Sequence, residues 1–178
     1  MPHIYAMQFI VWWSTVLTVT IAAVSDLRSR RIPNWLVLPF LLSGVIFSTF
    51  SRGWSGLAHS ITGVLLAAFL LGLFHFLGGM GMGDVKLCAG IGAWIGPHQL
   101  LFALAFMGLA GGLMAFVWAL CCGFWKEMMA GTGDLIVGFG KRGFRRHERL
   151  ALSNPATRKM PYAPAIAIGT VLSFFAMP

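Results

Sequence analysis

Five stretches of this chain carry no Asp, Glu, Lys or Arg: residues 1–25, 32–51, 53–83, 87–125 and 160–178. Charge confined to the intervals between them restricts the fold more than any other feature. A helix crossing a bilayer needs about 20 mostly apolar residues, and every gap is near or beyond that length. The composition agrees: 58% of residues are hydrophobic, 10% are charged, and 22 are glycine. A soluble domain uses charged side chains for about a quarter of its residues. Soluble globular, disordered and disulfide-rich classes are excluded, and an all-α, polytopic integral membrane protein remains.

The gaps predict six transmembrane helices, at about 4–24, 33–50, 56–77, 84–96, 99–124 and 161–177. The 39-residue gap holds two because Gly96-Pro97-His98-Gln99 interrupts it. These spans leave room for one membrane-embedded domain over residues 1–178, with 126–159 as a basic loop inside it. The fourth helix is short, reaching about 20 Å at about 1.5 Å per residue against a hydrocarbon core of about 30 Å. Either it starts within the membrane plane or it borrows residues from the glycine-rich stretch before it. Both options put residues 78–84 near membrane depth, where irregular backbone is tolerated only against protein or a wet cavity.

Twelve of the thirteen basic residues fall on one side of this six-helix scheme, and only Arg52 on the other. The positive-inside rule makes the basic side cytoplasmic and puts both termini outside. The +8 net charge is then a matter of topology and anionic lipid, not of nucleic acid. The N-terminus has no basic n-region or small-residue cleavage site, so helix 1 is expected to be retained. Cys88, Cys121 and Cys122 show neither Cys-x-x-Cys spacing nor a nearby His ligand, and read as small buried hydrophobes. No metal or cofactor is expected, and the oligomeric state is left open.

An ionisable side chain at membrane depth costs at least about 2.5–3.5 kcal/mol and is a functional candidate by default. Two acids qualify. Asp26 ends helix 1 and Asp84 begins helix 4, so the topology brings both to the cytoplasmic edge. Each alone has a structural explanation, Asp26 as an interfacial charge and Asp84 as a helix N-cap. Together they suit shared chemistry, since two adjacent carboxyl groups hold one proton between them. The ionised member can take a proton from water while the protonated one donates to a peptide carbonyl. Gly78, Gly79, Gly81 and Gly83 leave space for a substrate backbone beside Asp84. Lys86 stands two positions on and points away from Asp84 along a helix.

Other residues read as structure. Gly131-Thr132-Gly133-Asp134 repeats the Gly-x-Gly-Asp pattern, but no membrane-length apolar segment follows, so Asp134 is a loop or helix-cap residue. Pro33 and Asn34 start helix 2, and Asn34 is also a candidate to orient a carboxylate. His75 reads as a packing histidine. The pairs Gly92/Gly96 and Gly108/Gly112 have the spacing that lets helices touch closely. Trp12, Trp13, Trp35 and Trp54 suit interfacial anchoring.

Two of these stretches resemble motifs of the type IV prepilin peptidases, membrane aspartic peptidases of the GxGD class. One is Asp26-Leu27-Arg28-Ser29-Arg30-Arg31-Ile32-Pro33-Asn34, and the other is Gly81-Met82-Gly83-Asp84-Val85-Lys86. A weaker likeness covers residues 160–169, similar to the family's last helix. The chain looks most like the short form associated with Flp-type (tight adherence) pili. The resemblance implies that Asp26 and Asp84 are the catalytic pair. Gly81, Gly83, Lys86, Pro33 and Asn34 would shape the site around them. It also implies removal of a basic prepilin leader at the cytoplasmic face of the bacterial inner membrane, usually after a glycine. The paired Cys-x-x-Cys motifs of methylating members are missing, so no methyltransferase activity is expected.

Two rivals remain open. A proton-coupled transporter would want internal repeats and acids near the midplane. A non-catalytic scaffold of a pilus or secretion system would dock through loop 126–159 and tolerate Asp84→Asn.

Overall fold

The computed structural model describes residues 2–77, 79–121 and 161–176, with the side chains of 2–6 and 119 left out. Loop 126–159 and Asp134 lie outside the described residues. All elements are helical: α1 (Pro2–Ser29), α2 (Asn34–Phe76), α3 (Met82–Cys121) and α4 (Ala163–Ala176). The all-α expectation holds.

Three of these helices contain spans long and apolar enough to cross a bilayer: Met7–Ser29, Asn34–Phe76 and Met82–Trp118; Ala163–Ala176 is a shorter apolar helix. A straight helix as long as α2 would measure about 65 Å, twice the hydrocarbon core. It is not straight. Gly53 is non-helical at φ 61, ψ −139, a left-handed conformation that favours glycine. The chain reverses there: Gly56 packs on the backbone of Ser48, eight residues away, which a continuous helix would hold a dozen ångströms off. α3 reverses likewise at Gly96 (φ 76, ψ 179), where the next residue, Pro97, opens its second half. A Cβ on Gly92 would lie 3.1 Å from Leu100 Cδ2 across that turn.

These two hairpins set the ends of the bundle. The breaks at Gly53 and Gly96, the start of α1 and the end of α4 share one end. The links 30–33 and 77–81 and the start of α4 share the other. α3 is central, packing on both α2 and α4, while α1 leans chiefly on α4. Its first half is the short helix expected at 84–96. It borrows Met82 and Gly83 but not Gly79 or Gly81. Val85 and every residue from 87 to 96 are buried, so protein surrounds this segment.

The distribution of side chains is inverted relative to a water-soluble bundle. Phe50, Trp54, Phe69 and Leu109 are largely exposed, whereas Thr15, Ser48, Ser60, Thr170 and Ser173 are buried. In lipid, apolar surface gains little by moving inward, and helices associate through close contact of small residues. Gly63 and Gly92 meet backbone to backbone between α2 and α3, and Gly44 makes room for the Trp94 ring. That ring stacks between Phe40 and Phe47, and its Nε1–H donates to the Phe40 carbonyl at 2.9 Å.

One expectation is corrected here. Gly108 and Gly112 face nothing within 4 Å among the described residues. The buried stripe of α3's second half is Ala103, Met107 and Gly111. Gly108 and Gly112 each stand one position past it, a rotation of about 100°. Gly111 instead receives Tyr162, and Gly169 of α4 packs on Met107.

Candidate active site

α1 delivers Asp26 from its last turn. Val19, Ala22 and Asp26 recur at helical spacing on the buried stripe of α1, and Asp26 is only 7% exposed. The helix closes just beyond. Arg30 takes a left-handed φ of 51°, and its N–H donates to the Asp26 carbonyl at 2.8 Å. Ser25 Oγ donates to the Arg31 carbonyl at 3.1 Å, pinning the turn into Ile32-Pro33.

The Asp26 carboxylate reaches a third element. Its Oδ2 accepts the Ala163 N–H at 3.0 Å. Ala163 opens α4, so its N–H has no partner inside that helix. Pro161 and Pro164 on either side have no N–H at all. Asp26 therefore caps α4 from another helix, where the exposed amide dipoles favour an anion.

α3 delivers Asp84 in its first turn. The preceding loop lies directly against the carboxyl, since a Cβ on Gly81 would sit 3.0 Å from Asp84 Oδ2. One on Gly83 would sit 3.3 Å from Ile32 Cβ. Gly81 thus keeps the acid uncovered, and Gly83 lets this loop close on the Ile32-Pro33 turn. Asp84 lies within electrostatic reach of both Asp26 and Tyr162. Two acids from separate helices share one end of the bundle, with backbone N–H groups and glycine surface around them.

The remaining expected residues frame this end. Pro33 is the N-cap of α2, and its carbonyl accepts the Leu36 and Val37 N–H groups at 3.1 and 3.4 Å. Asn34 is the first helical residue. Its Oδ1 accepts from Lys86 Nζ at 3.4 Å, so Lys86 reaches the start of α2.

Two participants were not singled out by sequence reasoning. Tyr162 and the Ala163 N–H come from the Met160-Pro161-Tyr162-Ala163-Pro164 stretch, whose two prolines mark a helix start without revealing what it faces. His75 was read as packing only. Its Nδ1–H donates to the Met80 carbonyl at 2.8 Å, fastening the end of α2 to the loop that carries Gly81. Losing one such bond to a half-buried carbonyl costs about 1 kcal/mol. His75→Leu is accordingly expected to lower stability by that amount, read as a reduced Tm of the purified protein in detergent. An unchanged Tm would detach His75 from the loop.

Comparison with known proteins adds an independent line. The type IV leader peptidase family model matches residues 13–116, more than half of the chain and including both aspartates. A prepilin leader peptidase/N-methyltransferase of Bacillus subtilis is 31% identical over 157 residues, covering 86% of this chain and 50% of the relative. A preflagellin peptidase of Methanococcus maripaludis is 36% identical over 88 residues, covering 47% of this chain and 38% of the relative. For a prepilin leader peptidase/N-methyltransferase of Aeromonas hydrophila the figures are 30% over 122 residues, 61% and 42%. The chain spans half or less of the length of these relatives. No solved structure matches it.

Proposed function

This chain belongs to the type IV leader peptidase family, and from that premise we propose that it is a membrane aspartic endopeptidase that removes the leader of type IV prepilins. The observation that supports the proposal is the placement of Asp26 on α1 and Asp84 on α3 at one end of the bundle, with Asp84 within electrostatic reach of Asp26.

The chemistry follows from two carboxyl groups and water. The ionised carboxylate takes a proton from a water molecule, whose oxygen attacks the scissile carbonyl carbon. The protonated carboxyl gives its proton to the carbonyl oxygen, forming a tetrahedral intermediate. Collapse breaks the C–N bond: the amine leaves with a proton returned from the first carboxyl, and as the C=O re-forms one hydroxyl proton goes back to the second. Gly81 lets an extended peptide come close to Asp84. A substrate helix must unwind locally to be cut, and a glycine before the scissile bond lowers that cost.

Orientation and substrate belong to the same proposal. Among the described residues, the aspartate end carries Arg28, Arg30, Arg31 and Lys86, and the opposite end carries Arg52. The positive-inside rule turns the aspartate end to the cytoplasm. A substrate with a basic leader and an apolar helix would enter from the bilayer with its leader at that face. The test is incubation of the reconstituted full chain with a prepilin-type substrate, followed by mass and N-terminal sequence of the product. One cut between leader and apolar helix is expected. An intact substrate would contradict the proposal.

A further inference from the structure

At the end of the bundle away from the aspartates lies a cavity of about 550 Å³ that hydrolysis does not use. It forms where α1 begins, α2 and α3 reverse, and α4 ends. Gln8, Arg52, His59 and Gln99 line it, together with the rings of Trp12 and Trp94. The volume is that of a small-molecule pocket.

The charge inside it is one-sided. The acids among the described residues are Asp26 and Asp84, both at the far end. The titratable side chains within electrostatic reach of His59 are Arg52 and His98. The Arg52 guanidinium, which offers five N–H donors and no acceptor, thus meets no acidic partner among the described residues. A cation at a low-dielectric wall draws in an anion. The other wall is aromatic. Trp94 has already given its Nε1–H to Phe40 and its ring faces to Phe40 and Phe47, so it lines the cavity as apolar wall with no donor to spare. Trp12 packs edge-on against Phe174.

A donor-rich cationic rim facing an aromatic wall suits an amphiphile with an anionic head. We propose that this cavity binds the phosphate of an anionic phospholipid, held by Arg52 with Gln8, Gln99 and His59, its glycerol and first chain carbons lying on Trp12 and Trp94. Bulk phosphate offers the same anion without the apolar part, and the two sources are separable. The site is independent of the proposed hydrolysis, and its test does not read cleavage.

Native mass spectrometry of the full chain in detergent, titrated with phosphatidylglycerol, phosphatidylcholine and inorganic phosphate, decides the matter. The wild type is expected to retain one phosphatidylglycerol in preference to phosphatidylcholine, and inorganic phosphate is expected not to displace it. Arg52→Gln is expected to weaken retention about tenfold, the worth of one charge-assisted hydrogen bond. Gln99→Leu is expected to weaken it less, and it serves as the second probe should Arg52→Gln fold poorly. Equal retention by wild type and both variants would overturn the assignment. So would displacement by inorganic phosphate, which would make the site one for a free anion, or equal retention of phosphatidylcholine.

Discussion

Asp84→Asn is expected to lower leader cleavage by about 10⁴-fold or more, and Asp26→Asn by a comparable factor, the scale seen when one member of a catalytic unit is removed. Asparagine matches aspartate in size but can neither ionise nor pass a proton, so the change falls on chemistry more than on packing. At Asp26 the amide oxygen can still accept the Ala163 N–H, so the cap on α4 survives. Folding should be retained, and unchanged Tm and detergent elution would verify that. Asp134→Asn should leave the rate unaltered, because its Gly-x-Gly-Asp precedes no membrane-length segment. A scaffold predicts no loss from Asp84→Asn, and a transporter predicts no cleavage by the wild type.

Gly92→Val should unfold or strongly destabilise the bundle. A Cβ at Gly92 would lie 2.6 Å from the Gly63 carbonyl oxygen and 3.1 Å from Leu100 Cδ2. The nearer atom is backbone, so relief requires α2 and α3 to move apart. Overpacking a tight core costs about 1–3 kcal/mol and occasionally more; a backbone clash at the central helix belongs at or above the top of that range. Gly112→Val, on the same helix, meets nothing within 4 Å among the described residues and should change stability by less than about 0.5 kcal/mol. Thermal unfolding of the two variants in one detergent gives the contrast directly. Similar Tm values would contradict the backbone contact between α2 and α3.

The all-helical membrane fold and the placement of two acids at one end of the bundle were legible in the sequence for one reason. A bilayer forbids charge over about 20 residues, so the gaps between charges mark the helices, and the acids that remain mark the site. The break at Gly96-Pro97 was visible as a turn signal, and Gly53 sits in the interval left between two expected helices. Helix facing was not legible. Gly108/Gly112 has the right spacing but the wrong phase, and only the positions of Tyr162 and α4 reveal that Gly111 is the contact. The Ala163 cap on Asp26 was hidden for a related reason. A backbone N–H carries no residue signature, and its partner lies on another helix at the far end of the chain. The reach of Lys86 to Asn34 was not legible either, because it depends on how α2 and α3 dock.

The account stands on two carboxyl groups acting as one catalytic unit, and a double-mutant cycle of cleavage rates tests it most directly. Wild type, Asp26→Asn, Asp84→Asn and the double variant would be compared in proteoliposomes with one prepilin-type substrate. If the pair shares a proton and a water, the double variant is no slower than the worse single variant, because either loss already removes the unit. Multiplicative losses, or one aspartate whose replacement leaves the rate intact, would contradict the shared mechanism.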